Sequence, residues 1–341
     1  MKINLLFVLV LLTTNLLQSQ DSRIIEDKAL HFSLPHLADT IDFIIVGNEV
    51  KETEKKPLFL WCQGSLPLPL FGEIEKEDVF FYGGGIVNFD YQKIAKEYHL
   101  VVISMPKIPV VVEREHLNQQ FQYVPDKTKP RQFSEAYLQS DYLEHYVERG
   151  LKVLRFLQKQ KWVDAQKLVV AGHSQGTKVA TKIALQSDKV THLGLFAPNP
   201  FGRIDQSIRQ ARLDAQLGKI SWPKADSLIN STYEFYKSVQ DTSLYQNNPS
   251  LRTWKSFSVP YFEDWLMLDI PIYIAYGTED RSADLCDIIP LFFIAAQKNN
   301  LSLKRYLNLE HNFFELDKNG RVNYELSHWK KVVDTFINWI K

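Results

Sequence analysis

The segment Gly172-His173-Ser174-Gln175-Gly176 limits the possible fold of this chain more than any other part of the sequence. A short apolar run, residues 168–170, leads into it, and residues 177–185 continue with apolar side chains at helical spacing. This pattern predicts a strand, a very sharp turn and a helix. Glycine is needed on either side of the turn because a Cβ there would strike the neighbouring strand or helix. The hydroxyl of Ser174 would then stand clear of the sheet at a helix N-terminus, where free N–H groups stabilise an anion.

The length and composition of the chain allow a large folded core. Of its 341 residues, 45% are hydrophobic and 13% are aromatic, which is unlike a disordered protein. Forty basic and forty acidic residues cancel, so no excess charge favours a polyanionic partner and we expect no binding of nucleic acid. The two cysteines, Cys62 and Cys286, could form one disulfide or remain two buried thiols.

Residues 1–19 have the pattern of a secretory signal peptide. Lys2 precedes an apolar run at residues 5–12, and the polar stretch that follows would be cleaved near Ser19. The run is short for a helix that spans a bilayer. We therefore expect export to the periplasm or the medium, with no stable membrane insertion after cleavage. An uncleaved N-terminal anchor is the alternative.

Strand patterns alternate with helical patterns along most of the remaining chain. Strands are predicted at residues 40–46, 57–62, 100–104, 190–196, 271–276 and 301–307. Helices are predicted at residues 89–98, 134–159, 283–297 and 328–340, the second capped by Ser134. Residues 66–88 and 106–130 are predicted to be long surface loops. The alternation predicts the α/β class, with a mostly parallel, doubly wound sheet covered by helices on both faces.

Residues 201–268 interrupt this alternation. Apolar side chains recur there at helical spacing, and no strand pattern lies between them. We therefore predict one α/β core made of residues 20–200 and 269–341, with residues 201–268 inserted as a helical cap.

Four polar residues directly follow predicted strands: Ser65, Ser174, Asp280 and His311. The carboxyl ends of the strands in an open parallel sheet meet at one edge, and ligands bind there. We therefore expect these four residues to lie close together.

From about residue 40 onward, the cap excepted, the sequence resembles the α/β-hydrolase family. The Gly-x-Ser-x-Gly elbow, an acid after a later strand and a histidine after the last strand match the family's motifs and their order. The resemblance implies that Ser174 is the nucleophile, Asp280 the acid and His311 the base. It also implies that the backbone N–H groups of Gln175 and Ser65 bind the oxyanion. Many members have His-Gly before the second donor, where this chain has Gln63-Gly64.

Each of these residues also has a structural interpretation. Asp280 could be a turn residue, with Glu279 or Asp284 as the true acid, and His311 could be a histidine with a purely structural role. His173 and His328 are interpreted as structural residues, and Arg281 as a surface residue. Five aromatic residues of the predicted cap could line an acyl pocket or form the cap's own core: Trp254, Phe257, Tyr261, Phe262 and Trp265.

The sequence contains no H-E-x-x-H, no C-x-x-C, no Walker loop and no G-x-G-x-x-G after a strand, so we expect neither a metal nor a cofactor. The resemblance then implies a serine hydrolase that cleaves a small-molecule ester or thioester through an acyl-enzyme, and the leader pattern of residues 1–19 predicts that it is exported. A peptidase of the same fold is the second hypothesis, since the same three residues cleave amides. Its peptide amino end could be held by acidic residues of the 66–88 loop: Glu73, Glu75, Glu77 and Asp78. A binding protein without turnover is the third hypothesis. The sequence makes no prediction of oligomeric state.

Overall fold

The protein is described by a computed structural model that covers residues 23–25, 27–36, 39–75 and 78–341. The predicted signal peptide, residues 1–19, lies outside these residues. Within them, no helix combines the length and the hydropathy needed to cross a membrane.

A nine-stranded mixed sheet lies at the centre of the described structure. The strands in chain order are β1 (Arg23–Ile25), β2 (Ala29–His36), β3 (Asp39–Val46), β4 (Lys56–Cys62), β5 (Phe71–Glu75), β6 (Asp78–Phe81), β7 (His99–Ile103), β8 (Val111–Glu113), β9 (Val163–His173), β10 (His192–Phe196), β11 (Ile272–Gly277), β12 (Leu301–Tyr306), β13 (Phe314–Leu316) and β14 (Val322–Ser327). The main sheet has the order β1-β2-β3-β7-β4-β9-β10-β11-β12. The strands from β7 to β12 in this order run parallel, and β1, β2 and β3 extend the sheet in antiparallel pairs. The predicted α/β class with a mostly parallel sheet is confirmed.

Helices cover both faces of this sheet. They are α1 (Tyr91–Glu97), α2 (Glu135–Ser140), α3 (Leu143–Leu157), α4 (Gln175–Gln186), α5 (Asp205–Gln216), α6 (Trp222–Gln240), α7 (Ser250–Phe257), α8 (Phe262–Met267), α9 (Ala283–Ala295) and α10 (Trp329–Trp339). In β4, Leu58 and Leu60 pack in the core that contains α3, α4 and α9, whereas Phe59 and Trp61 pack in the core that contains α1 and α10. This alternation buries both faces of the strand, which explains its continuous apolar run.

The predicted loop at residues 66–88 is wrong in part. Strands β5 and β6 form a hairpin there, and β5 also pairs in parallel with β8, which lies within the other predicted loop. These strands are five, four and three residues long and include charged residues, so no long apolar run marks them in the sequence. The β1–β2 edge and the β13–β14 hairpin were also absent from the prediction.

The single helix predicted at residues 134–159 is two helices. Ser134 caps α2 as expected, since its Oγ accepts the N–H of Tyr137 at 3.1 Å. Asp141 and Tyr142 then leave the helical conformation, with φ/ψ of −84°/73° and −147°/153°. The carboxylate of Asp141 is buried and accepts the hydroxyl of Tyr146 at 2.8 Å, so a buried hydrogen bond between two side chains replaces helix continuity at this point.

Residues 201–268 contain α5 to α8 and no strand. The end of this segment packs on α4: the hydroxyls of Thr177 and Tyr261 lie 2.8 Å apart, and the indole N–H of Trp265 donates to Thr181 Oγ1 at 3.0 Å. We call residues 201–268 the helical insert.

Both cysteines are free thiols, buried in the same core beside α4 and α9. Burial raises the pKa of Cys62 to about 12 and also raises the pKa of Cys286. Of the two alternatives given for the cysteines, the structure therefore supports two buried thiols and not a disulfide.

Candidate active site

The Gly-x-Ser-x-Gly segment forms the predicted sharp turn between β9 and α4. Ser174 has φ 54° and ψ −120°, a conformation that a non-glycine residue adopts only under strain. A Cβ on Gly172 would lie 2.3 Å from the carbonyl oxygen of Gly176, and one on Gly176 would lie 2.1 Å from the carbonyl oxygen of Cys62. Both contacts are with backbone atoms that cannot move aside, so glycine is required at both positions. The steric reason given for the motif is confirmed.

Ser174, His311 and Asp280 form one continuous hydrogen-bonded chain. His311 Nε2 lies 2.9 Å from Ser174 Oγ, and His311 Nδ1 lies 2.7 Å from Asp280 Oδ2. Ser174 follows β9, Asp280 follows β11 and His311 follows β12. These strands all belong to the parallel part of the sheet, so their carboxyl ends meet at one edge.

Asp280 lies against His311 and is held from both sides. Its side chain is 2% exposed, and Oδ1 accepts the N–H and the hydroxyl of Ser282 at 2.9 and 3.0 Å. Burial alone would raise the pKa of Asp280, but the hydrogen bonds and charge of His311, with the bonds from Ser282, outweigh burial and lower it. The carboxyl group is therefore ionised at neutral pH.

The two alternative acids lie elsewhere. Glu279 is exposed to solvent. Asp284 pairs with Arg209, its Oδ1 lying 2.6 Å from the Nη1 atom. Neither forms a hydrogen bond with the imidazole of His311, so Asp280 is the acid that this geometry offers.

The imidazole of His311 is set up to accept a proton on the side of Ser174. Burial lowers its pKa, but the hydrogen bond and the charge of Asp280 together outweigh burial and raise the pKa above its usual value. Because the ionised Asp280 can only accept, Nδ1 carries the hydrogen and Nε2 is the acceptor that faces Ser174 Oγ. This is the tautomer that a general base requires.

His173 lies behind His311, as a supporting group. Its Nε2 is 3.2 Å from the backbone oxygen of His311. Burial, with the neighbouring His311, lowers the pKa of His173 to about 3, so the ring is neutral and donates this bond. His328 lies in a different environment, with Nε2 2.7 Å from Glu315 Oε1.

The predicted oxyanion donors lie beside the elbow. Gln175 is the first residue of α4, and no hydrogen bond within the described part of the chain uses its N–H or that of Ser65. The Cβ position of Gly64 is 3.9 Å from Ser174 Cβ, so the loop after β4 touches the elbow. Gln63, which stands where many members have histidine, donates from Nε2 to the Ile103 carbonyl at 2.7 Å and ties this loop to β7.

Two cavities meet at Ser174 and His311. The first, of about 420 Å³, lies toward the helical insert; it is lined by Gln175, Lys178, Asn199, Arg203, Gln206 and Phe257, with Glu279 and Arg281 exposed at its rim. The second, of about 340 Å³, lies toward the loop after β4 and is lined by Trp61, Gly64, Leu66, Leu68, Gly84 and Trp329. Ser65 lines both cavities. A substrate could therefore place one part in a charged cavity and the other in a mainly apolar one.

Most of the five aromatic residues considered in the insert are structural. Phe257, Tyr261 and Trp265 are buried in the core beside α4, and Phe262 packs against that core. Of the five aromatic residues considered, only Phe257 lines the first cavity. Trp254 stacks under Arg203, with the guanidinium carbon 4.5 Å from a ring centroid.

Away from this site, Glu113, Glu115 and His116 are close enough to share a cation. The carboxylate of Glu115 is already 2.7 Å from Lys127 Nζ, and both glutamates are exposed. This group shows no feature of a built metal site, and we assign it no role.

No protein-family model matches this chain, and no curated protein matches it. Solved structures do match it. A candidate dipeptidyl aminopeptidase IV from Bacteroides ovatus aligns with a TM-score of 0.52 and 12% identity, over 92% of this chain and 36% of that one. An acylaminoacyl peptidase in complex with Z-Gly-Gly-Phe-chloromethyl ketone aligns with a TM-score of 0.51 and 14% identity, over 91% of this chain and 41% of that one.

The chain has the α/β-hydrolase fold. Together with the strand order and the elbow, these two matches confirm the resemblance stated from the sequence. At this identity they establish the α/β-hydrolase fold alone. The chain spans about two fifths of the length of each of the two peptidases.

Proposed function

We propose that this protein is a serine hydrolase that cleaves an ester or thioester through an acyl-enzyme on Ser174. The observation that carries the proposal is the continuous chain from Ser174 Oγ to His311 at 2.9 Å and from His311 to Asp280 at 2.7 Å. A serine hydroxyl is a weak nucleophile until a base within hydrogen-bond reach takes its proton. The α/β-hydrolase fold and the strained elbow support the same conclusion.

The proposed reaction has two steps. Ser174 Oγ attacks the carbonyl carbon as His311 Nε2 takes the hydroxyl proton, and the oxyanion accepts the N–H groups of Gln175 and Ser65. The intermediate collapses, the bond to the alcohol or thiol breaks, and His311 gives its proton to the leaving group. Water then attacks the acyl-enzyme with His311 again as base, which releases the acid and restores Ser174.

Asp280 acts through His311. It holds the hydrogen on Nδ1, so that Nε2 stays an acceptor, and its charge stabilises the imidazolium that forms in each step. We propose that His173 fixes the loop of His311 through the 3.2 Å bond to the backbone oxygen.

A peptidase of the same fold is the second candidate, and the two solved structures favour it because both are described as peptidases. Of the acidic residues first suggested to hold a peptide amino end, Glu77 lies outside the described residues and Glu73 lines neither cavity. Glu279 and Glu310, which line the first cavity, would take that role instead. Hydrolysis of aminoacyl anilides but not esters would establish this alternative.

We also propose that the helical insert is a cap that selects substrates. Gly202, Arg203, Gln206 and Phe257 all belong to it and line the first cavity together with Ser174. Replacement of Arg203 tests this role.

Export remains part of the proposal and rests on the leader pattern of residues 1–19. Mass analysis of the protein from its native host should show a chain that starts near Gln20 or Asp21. A mature protein that retains Met1 would contradict export by this route.

The test of the hydrolase proposal is covalent labelling with a fluorophosphonate, followed by assays of p-nitrophenyl esters of rising chain length and of aminoacyl anilides. The wild-type protein should label once at Ser174, and Ser174→Ala should not label. Ser187→Ala, at the far end of α4, is the matched control and should label at the wild-type rate. A wild-type protein that does not label would leave the binding-protein hypothesis standing.

A further inference from the structure

Arg203 lies in the wall of the first cavity beside the residue that follows the nucleophile. Its Nη1 is 3.4 Å from Oε1 of Gln175, and its guanidinium carbon is 4.5 Å from a ring centroid of Trp254. The side chain is half-buried. The planar group is thus stacked on an aromatic ring and oriented before any ligand arrives.

This guanidinium has no carboxylate partner in the described part of the chain. The contrast is Arg209, six residues further on, which pairs with Asp205 at 3.1 Å and Asp284 at 2.6 Å. The charge of the buried Asp141 opposes the lowering of the Arg203 pKa by burial, but no hydrogen bond or salt bridge joins the two side chains, and the Asp141 carboxylate accepts the Tyr146 hydroxyl. An arginine side chain is always protonated and has five N–H donors. Most of the donors of Arg203 are therefore left without a protein acceptor, at a cavity wall.

A second basic side chain, at the inner end of the cavity, is already engaged by protein groups. Lys178 is buried, and its Nζ donates to the carbonyl oxygens of Phe257 and Val259 and lies 4.8 Å from the ring centroid of Tyr261. Two of its three N–H donors are thus used, and burial lowers its pKa to about 7, so Lys178 contributes only partial positive charge at neutral pH. Of the two side chains, Arg203 is the one available to bind an anion.

The carboxylates that line the same cavity do not neutralise Arg203. Asp280 is engaged by His311 and Ser282. One oxygen of Glu310 accepts the N–H groups of Asn312 and Phe314 at 2.7 and 3.2 Å, which ties it to its own loop. Glu279 is exposed at the rim. The inner wall of the cavity therefore carries the unneutralised positive charge of Arg203, whereas Glu279 and Arg281 carry opposite charges at its mouth.

We propose that Arg203 binds a negatively charged group of the substrate, a carboxylate, and that the enzyme selects esters or thioesters that carry one. A planar guanidinium matches a carboxylate with two parallel N–H···O bonds. This inference rests on the proposed function, because the anionic group is that of the molecule that Ser174 attacks.

Two matched pairs of esters test the proposal. The first pair is the umbelliferyl ester of adipate and that of monomethyl adipate, which differ by a charge in the acyl half. The second pair is the butyrate ester of 4-hydroxybenzoate and that of its methyl ester, which differ by a charge in the leaving group. In at least one pair the anionic ester should have a kcat/KM at least tenfold higher than the neutral one.

Arg203→Gln should remove this preference. Hydrogen bonds to a charged group contribute about 1.5–3 kcal/mol, so kcat/KM for the preferred anionic ester should fall by about 10- to 100-fold. The neutral ester should change by less than about threefold. Arg203→Lys, which keeps the charge but loses the planar fork, should lie between the two. Arg281→Gln, at the exposed rim, is the matched control and should keep the preference.

Protection from labelling gives a readout that does not need turnover. Adipate should slow fluorophosphonate labelling of Ser174 in the wild type, adipamide should not, and Arg203→Gln should abolish the protection. Should Arg203→Gln fail to fold because Asp141 is left as a buried charge, Arg203→Gln with Asp141→Asn replaces it.

If Ser174 labels normally but neither anionic ester is preferred, or the preference survives in Arg203→Gln, the inference is wrong and the hydrolase proposal stands. If the wild type prefers esters with an amino group and Glu279→Gln abolishes that, the charge assignment is reversed and the inference is likewise wrong. If Ser174 does not label at all, the proposed function fails and takes the inference with it.

Discussion

Replacing Asp280 with asparagine tests the roles within the proposed catalytic chain more sharply than deleting any of its members. The substitution keeps the size and shape of a side chain that is 2% exposed. Oδ1 already accepts the N–H and the hydroxyl of Ser282 at 2.9 and 3.0 Å. An asparagine oxygen would keep those two bonds, and its NH₂ group would then point at His311 Nδ1 in place of the carboxylate oxygen.

This substitution changes which nitrogen of the imidazole must carry the hydrogen. An NH₂ group donates, so Nδ1 must become the acceptor and the hydrogen moves to Nε2, which faces Ser174 Oγ at 2.9 Å. The base then has no free electron pair where the proton must go. In a serine protease triad the same change lowers kcat by about 10⁴, and we expect a loss of that order here.

The assay is kcat and kcat/KM with a p-nitrophenyl ester across pH 5 to 9, together with the rate of fluorophosphonate labelling. His311 must be neutral to act as base, and Asp280 raises its pKa, so the acidic limb of the profile should move to lower pH in Asp280→Asn. Glu279→Gln and Asp284→Asn are the matched controls, since each removes a neighbouring carboxylate without touching His311. If Asp280→Asn keeps near wild-type activity while Glu279→Gln or Asp284→Asn loses its activity, the assignment of the acid is wrong. If His311→Ala hydrolyses esters at the wild-type rate, the proposed catalytic roles of Ser174, His311 and Asp280 are all wrong.

Two further predictions concern stability. Gly176→Ala places a Cβ 2.1 Å from the Cys62 carbonyl oxygen, so it should lower the free energy of unfolding by about 1–3 kcal/mol or more. In Gly64→Ala the nearest neighbour of the new Cβ would be 3.8 Å away, so this control should lose much less stability. Urea unfolding of both variants measures the difference. Burial lowers the pKa of Lys178 to about 7, with Arg203 and Lys182 acting in the same direction and Asp205 opposing, against 10.5 for a free lysine. Between these two values the unfolded chain binds more protons, so the stability of the wild type relative to Lys178→Met should rise with pH by up to about 1.4 kcal/mol per unit and be flat below pH 6. Parallel curves for the two proteins would show that Lys178 keeps an ordinary pKa.

The residues of the proposed catalytic chain could be located from the sequence because each is placed by backbone geometry over a short distance. Ser174 follows a recognisable turn, and Asp280 and His311 stand at the ends of apolar strands of one parallel sheet. The carboxyl ends of such strands share an edge, so three residues far apart in the chain were expected together before any side-chain direction was known. Which acid faces His311 was not decided by the pattern, since a shift of one residue turns a side chain away. That choice came from the structure, through the 2.7 Å contact of Asp280.

Elements that depend on distant contacts were not predicted. Strand β5 of the β5–β6 hairpin pairs with β8, forty residues further along, and neither strand has an apolar run long enough to predict it from the sequence alone. The break between α2 and α3 lies in a sequence with uninterrupted helical spacing. At this break the N–H of Leu143 donates to Ser256 Oγ of the helical insert at 3.1 Å, and tertiary contacts of this kind override local helix propensity.

The cavity wall that would contact the substrate also depends on distant contacts, and the packing on α4 explains why the sequence did not predict it. The helix begins with Gln175, directly after Ser174. Further along the helix, Thr177 and Thr181 form hydrogen bonds with Tyr261 and Trp265 of the helical insert. Arg203 reaches the cavity only because the insert is packed on that helix, so its position depends on contacts between segments about 80 residues apart. The catalytic chain and the cavity wall are therefore held by one helix but specified in different ways. The first can be read from local motifs, whereas the charge that we propose selects the substrate becomes visible only once the insert is seen against α4.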